Sequence, residues 1–286
     1  MQKSTICIIV FIIMKLSLVT QGGPFPEMTK RRTVVMVRHG MSQWSEKNVF
    51  CGWYDSELSE RGLDEAHECG RLMKSAGYYF DIVFTSLLTR AHQTLDVVAK
   101  YLGQPDVQVI ETWRLNERHY GALTGYVKGY LVDIYGEKQV QIWRRSFDVK
   151  PPAMGSDHKY YDAAMNNPKL KKYANEHNVK FPVTESLKET MKRVIPFWEQ
   201  MIAPAVRQGQ RVLIVAHGTV LRSLVKYLEG ISNDDICSIN IPSGIPFFYK
   251  FDEYMQVVST KEFLGDPKRV QEGIARAASS GTIIQH

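Results

Sequence analysis

Two short apolar runs constrain this chain more than any other feature. Val34-Val35-Met36-Val37 leads into Arg38-His39-Gly40, and Val212-Leu213-Ile214-Val215-Ala216 leads into His217-Gly218. β-Branched runs of this length, stopped at a glycine, read as buried strands. In open α/β sheets, ligands bind just outside the carboxyl ends of the strands. Each run therefore brings an imidazole to the edge where a ligand would sit, the first beside a guanidinium suited to an anion. The two imidazoles meet only if the two strands are neighbours, and the sequence leaves that open. Taken singly, Arg38 and His39 also fit a polar strand end.

The segments between these runs supply the rest of an α/β fold. Ser59 to Ala76 reads as a helix, with Ser59 as N-cap and Gly77 as stop. A strand over Asp81–Ser86 follows, then a helix that carries Arg90 and runs to about Leu102, then a strand over Val107–Ile110. This order predicts a doubly wound, mostly parallel sheet flanked by helices. Residues 126–184 lack a long apolar repeat and read as an inserted, lid-like region over the active site. A helix over Glu185–Met201, interrupted near Pro196, precedes the second His-Gly strand. The helix after that strand stops at Gly230. Phe247–Phe251 and Met255–Ser259 read as a final hairpin, and the tail from Lys268 to about Ala278 as a helix.

Charge and composition narrow the partners. The chain has 286 residues and a formal net charge of +6, yet its densest N-terminal basic run is only Lys30-Arg31-Arg32. That is too short for a polybasic arm, so no nucleic-acid partner is expected, and a small anionic substrate fits the excess. Residues 1–27 read as a leader or extension before a single catalytic domain over 28–286. The apolar run Ile6–Met14 after Lys3 is too short to span a bilayer and resembles a signal-peptide core. Export follows if residues 1–22 act as a signal. Against export, Cys51, Cys69 and Cys237 leave an odd count after the leader, and no asparagine starts an Asn-x-Ser/Thr acceptor. The cytoplasm is favoured for the catalytic body.

His39, His217, Arg38, Arg90 and Glu117 together define a chemistry. One imidazole can attack phosphorus and hold the phosphoryl group covalently. The arginines and the second histidine can donate to the equatorial oxygens, where transition-state charge collects. A glutamate suits acid-base work on a substrate hydroxyl. No metal is needed where cations already neutralise the phosphate. Each residue alone also has an ordinary structural reading; their joint occurrence carries the case.

Longer stretches then match a family. Arg38-His39-Gly40, Phe50 to Asp55, Thr112 to Tyr120, Leu123-Thr124-Gly125, Ile142-Trp143-Arg144-Arg145, Val212 to Gly218 and Gly244-Ile245-Pro246 resemble the cofactor-dependent phosphoglycerate mutases of the histidine phosphatase superfamily. The similarity runs from about residue 33 to 275. It implies interconversion of 3-phosphoglycerate and 2-phosphoglycerate, with 2,3-bisphosphoglycerate as phosphoryl primer and without a metal. It implies His39 as the phosphohistidine and Glu117 as proton donor and acceptor, with Arg38, Arg90, His217 and Gly218 holding the transferring group. Cys51, Gly52, Tyr120, Lys128, Arg144 and Arg145 would line the substrate site. Ser42, Ser45, Arg118, His119 and Thr219 would adjoin it. A homodimer with no stable membrane span is expected. The sequence departs from the family pattern at Met41, where glutamate is usual, and at Ser45 and Thr219, where asparagine is usual. Two rivals follow: a bisphosphoglycerate mutase or phosphatase of the same superfamily, and a weakened, mutase-like binding protein.

Overall fold

The computed structural model describes residues 32–279. The leader over 1–27 lies outside the described residues. Six strands form one sheet in the order β3-β2-β4-β1-β5-β6: β1 (Thr33–Arg38), β2 (Ile82–Thr85), β3 (Gln108–Glu111), β4 (Val212–Ala216), β5 (Phe247–Lys250) and β6 (Glu262–Phe263). The first four are mutually parallel; β5 pairs antiparallel with β1, and β6 antiparallel with β5.

The uninterrupted apolar runs follow from burial on both faces. Val34 and Met36 of β1 face a core shared with Val212, Ile214 and Ala216 of β4 and with Ile82 and Phe84 of β2. Val35 and Val37 face the opposite core with Leu213, Val215 and Val83. The first core is covered by α6 (Leu187–Phe197) and α7 (Gly218–Glu229), the second by α1 (Glu60–Ser75) and α2 (Thr89–Leu102). Ser59 caps α1 by accepting from the amide of Gly62 at 3.2 Å.

The region over 126–184 folds into helices that build two small cores together with side chains from outside it. α3 (Lys128–Tyr135) and α4 (Glu137–Arg145) enclose Phe50, Leu123, Leu131, Val140 and Trp143. A second cluster gathers Trp53, Leu87, Met154 and Ala164 with Leu170 of α5 (Pro168–His177). α8 (Pro267–Ser279) follows β6.

The expected interruption near Pro196 takes the form of a π turn: α6 ends at Phe197 and the chain widens over Trp198–Ile202. One expectation needs correction: the final hairpin is not formed by Met255–Ser259. β5 pairs instead with Glu262–Phe263, and the expected strand keeps a single bridge between Phe251 and Val257. The side chain of Asp252 accepts from the amides of Tyr254 and Gln256 at 2.9 and 2.8 Å, and Met255 takes a positive φ of 64°. That turn diverts the chain from the ladder.

Candidate active site

Parallel pairing of β1 with β4 places Arg38 opposite Ala216, so the next residues, His39 and His217, lie side by side. Their ring centroids are 4.8 Å apart. The loop after β1 passes against the start of α1. A Cβ on Gly40 would collide with the carbonyl of Gly62, which is why glycine follows the histidine.

Hydrogen bonds assign the tautomers. His39 is buried, and its Nδ1 lies 2.6 Å from the carbonyl of Gly40, so that nitrogen carries the proton. Nε2 then keeps its lone pair and accepts from Arg90 Nε at 3.1 Å. The Ser86 hydroxyl accepts from the amide of Leu88 at 3.2 Å and meets His217 Nε2 at 2.7 Å. The hydroxyl has a proton to give to Nε2, which puts the ring proton on Nδ1, an atom with no partner. Burial, followed by the charges of Arg90 and Arg38, pushes the His39 pKa well below the ordinary imidazole range. Burial, followed by Arg90 and His39, does the same to His217. Both rings are neutral at physiological pH: one is a nucleophile, the other a donor.

Arg90 is held by backbone carbonyls rather than by acids, donating to Tyr54 at 3.2 Å and Gly52 at 2.8 Å. Gly52 needs its positive φ of 52°, and a Cβ there would press on the amide of Tyr120 at 3.2 Å. Arg38 donates to the carbonyl of Ile241 at 2.8 Å, and its buried Nε has no partner. Glu117 faces the same space. Its Oε1 accepts from the amides of Arg118 at 2.7 Å and Thr219 at 3.3 Å, the latter at the start of α7.

These groups open onto a cavity of about 310 Å³. Of the residues singled out from sequence, its wall includes Arg38, His39, Ser45, Cys51, Gly52 and Arg90 from the first half of the chain. Glu117, Tyr120, Lys128, Arg144, Arg145, Gly218 and Thr219 complete them. Cys51 donates to the carbonyl of Tyr54 at 3.3 Å, and burial raises its pKa, so it stays a thiol. Arg145 donates to the carbonyls of Ala277 and Ala278 at 3.2 and 3.4 Å, tying α4 to the end of α8.

Three expected substrate contacts do not reach the cavity. The Ser42 side chain caps the turn over Gln43–Glu46, accepting from Ser45 N at 3.2 Å and donating to Ser45 Oγ at 2.9 Å. Arg118 is buried against the ring of Tyr120 and donates to the carbonyl of Arg144 at 3.0 Å. His119 is buried among Trp53 and Met165, and its Nδ1 accepts from the amide of Gly121 at 3.0 Å. Burial lowers its pKa to about 3. Ser42 and His119 spend their polar atoms on near neighbours, whereas Arg118 donates across to α4 and keeps a buried Nε without a partner. His217 is buried and not itself part of the cavity wall; its ring packs edge-on beside that of His39, centroids 4.8 Å apart.

Arg222 is the main site residue that sequence reading passed over. It lines the cavity one turn into α7, donates to the carbonyl of Ile236 at 2.7 Å and has a buried Nε without a partner. Its spacing four residues after Gly218 was the available signal, since residues i and i+4 share a helix face.

The profile of the histidine phosphatase superfamily (branch 1) matches residues 34–166 and 157–245. The chain belongs to the histidine phosphatase superfamily. A relative within it, the 2,3-bisphosphoglycerate-dependent phosphoglycerate mutase of Borreliella afzelii (strain PKo), is 45% identical over 251 residues, covering 87% of this chain and 98% of that one. Solved structures share the fold at greater distance. Bacillus stearothermophilus YhfR superposes with a TM-score of 0.60 at 19% identity, covering 80% of this chain and 96% of its own. A mycobacterial glucosyl-3-phosphoglycerate phosphatase gives 0.57 at 18% identity, covering 81% and 96%.

In this member of the superfamily the cavity carries a titratable cation. Lys128 is pushed down to about 7, first by burial and then by Arg144, Arg38 and Arg145. It is charged below that pH and neutral above it. An anion in the cavity favours the charged form, so binding above about pH 7 takes up a proton. Affinity for sulfate, an oxyanion that does not itself titrate in this range, is expected to fall as pH rises from about 7 to 8, by up to tenfold per unit. Calorimetry in two buffers of different ionisation enthalpy reads the proton uptake, which Lys128→Met should remove. Uptake that persists in Lys128→Met would assign the titration to another group.

Proposed function

We infer that this chain is a 2,3-bisphosphoglycerate-dependent phosphoglycerate mutase, an isomerase interconverting 3-phosphoglycerate and 2-phosphoglycerate. The observation that carries the reading is the neutral His39 Nε2, set among Arg38, Arg90, His217 and Glu117 in a chain 45% identical to a mutase of that name.

The cavity suits a ligand with several anionic groups. Arg38 Nε, His217 Nδ1 and Arg222 Nε are buried donors without protein partners, and Lys128, Arg144 and Arg145 add charge to the wall. 2,3-Bisphosphoglycerate supplies the phosphoryl group that primes the enzyme. His39 Nε2 bonds to phosphorus as the P–O bond breaks, and Glu117 gives the leaving oxygen its proton. In the return step Glu117 takes the proton from the other hydroxyl as that oxygen displaces Nε2. Arg38, Arg90 and His217 donate to the equatorial oxygens throughout. The cations neutralise the phosphoryl charge without a metal.

The reading includes a homodimer in the cytoplasm. β3 supports the former, since it is the outer strand of the sheet and exposes Val109. Sedimentation tests it directly; a monomer at micromolar concentration would refute it. Among the described residues no helix is long and apolar enough to cross a membrane. Residues 1–27 are read as dispensable to the catalytic body. The deciding experiment measures isomer formation and phosphate release, with and without 2,3-bisphosphoglycerate, for the full chain and for a chain starting at Met28. Primer-dependent isomerisation in both is expected. Phosphate release without isomerisation would make the protein a phosphatase.

Met41 sets the expected rate. It lines the cavity with its amide on Glu65 at 2.9 Å, where the family pattern has glutamate. A thioether packs adaptably but cannot accept as a carboxylate does. Losing a partner for a buried polar group costs about 1–3 kcal/mol, roughly one to two orders of magnitude in rate if it falls on the transition state. Turnover should rise from the native chain to Met41→Glu, and further when Ser45→Asn and Thr219→Asn are added. A native chain faster than both variants would show a pocket re-optimised around Met41.

A further inference from the structure

Glu117 stands on a connection with little regular structure. After β3 the chain makes one 3₁₀ turn over Trp113–Leu115 and then runs irregularly to Tyr120. Proton transfer needs its carboxylate placed to within a fraction of an ångström. Something outside the loop must hold it.

That support comes from α6 and the residues just before it. Arg193 is buried and directs its guanidinium at the loop's backbone. Nη1 donates to the carbonyls of Trp113 at 3.3 Å, Arg114 at 2.7 Å and Asn116 at 2.8 Å. Nη2 donates to the carbonyl of Glu117 itself at 3.0 Å. Glu185 takes the remaining edge of the fork, at 2.7 Å from Nε and 2.9 Å from Nη2. It then grips the other side of Glu117: Oε2 accepts from the amide of His119 at 2.9 Å, and its own amide donates to the carbonyl of His119 at 2.9 Å. The indole of Trp53 donates to the same Glu117 carbonyl at 2.5 Å. Both charged side chains are almost inaccessible, Arg193 at 6% and Glu185 at 2%, and neither lines the cavity.

A buried ion pair is weak support for stability in itself, because desolvation offsets the attraction. This pair is distinguished by what it binds: its spare donors and acceptors go to the residues flanking the carboxylate. We propose that Arg193, together with Glu185, is a positioning residue for Glu117, holding the loop so that the carboxylate meets the substrate hydroxyl. The inference rests on the mutase reading and deepens it. Lysine cannot replace the arginine here. It keeps the charge beside Glu185 but lacks the planar fork that reaches several carbonyls at once.

The test separates positioning from folding by counting competent sites. Full-length native chain, Arg193→Lys and Glu185→Gln are each incubated to completion with radiolabelled 2,3-bisphosphoglycerate. Acid-labile phosphate per chain is measured, and then kcat per labelled chain and KM. Both variants are expected to reach the native label count and keep KM within about threefold, while kcat per labelled chain drops about 10- to 100-fold. Unchanged kcat per labelled chain would overturn the proposal. A label count that falls in step with activity in both variants would also overturn it, making the pair a folding element. A native chain without mutase turnover would instead count against the function on which the inference rests.

Discussion

Replacing His39 by alanine is expected to abolish both covalent labelling and isomerisation. The imidazole is buried and neutral, and its proton is committed to the carbonyl of Gly40, so Nε2 is the attacking atom. Removing the nucleophile of a covalent enzyme typically costs on the order of 10⁴- to 10⁶-fold. The measurement is acid-labile phosphate per chain after exposure to 2,3-bisphosphoglycerate, with turnover measured alongside. Undiminished label in His39→Ala would move the nucleophile, and His217 would be the next residue to test. The electrostatics add a pH signature. Burial and Arg90 depress the folded-state pKa, so the lone pair survives on acidification past 6.5, where an ordinary histidine protonates. Labelling at primer well below saturation, which reads the free enzyme, should not switch off there.

Glu117→Gln is expected to slow turnover by about 10²- to 10⁴-fold, the usual contribution of a general acid-base group. The amide oxygen can still accept from the amides of Arg118 and Thr219, so the loop should keep its shape. Inorganic phosphate should bind within about threefold of the native chain, because the donors to phosphate are untouched. Wild-type turnover in Glu117→Gln would reduce this carboxylate to a structural role. Slowing that scales with the basicity of the leaving group would identify the lost step as proton transfer.

The legible part of this protein lay in its strands and their ends. Val34–Val37 and Val212–Ala216 announced buried strands because both faces are covered, and each ended in the histidine that reaches the site. Ser59 and Gly77 bracketed α1 because capping is local chemistry. Ser42, Arg118 and His119 adjoin cavity residues in sequence, yet Ser42 turns to Ser45, Arg118 to the carbonyl of Arg144 and His119 to the amide of Gly121. Adjacency along an irregular loop does not fix side-chain direction. Ser86 and the Arg193–Glu185 pair went unread because their partners, His217 and the loop around Glu117, lie 66 to 131 positions away in the chain. The true partner of β5 was hidden for a related reason: a turn at Asp252 displaced the apolar stretch that seemed to continue the hairpin.

By itself, then, the amino-acid order determined the α/β class, the two imidazole-bearing strand ends, the helix caps and the residue types needed for phosphoryl transfer. All of these are set by periodicity or by interactions within a few residues. Only the tertiary structure decided that β1 and β4 are neighbours in a register that brings His39 beside His217. It alone assigned the tautomer of each ring, the neutral tendency of Lys128 and the support beneath Glu117. Those properties arise from burial and from contacts between residues as much as 203 positions apart, such as the hydrogen bond from Arg38 to Ile241. Pairing and desolvation belong to the packed chain, so no local pattern could have specified them.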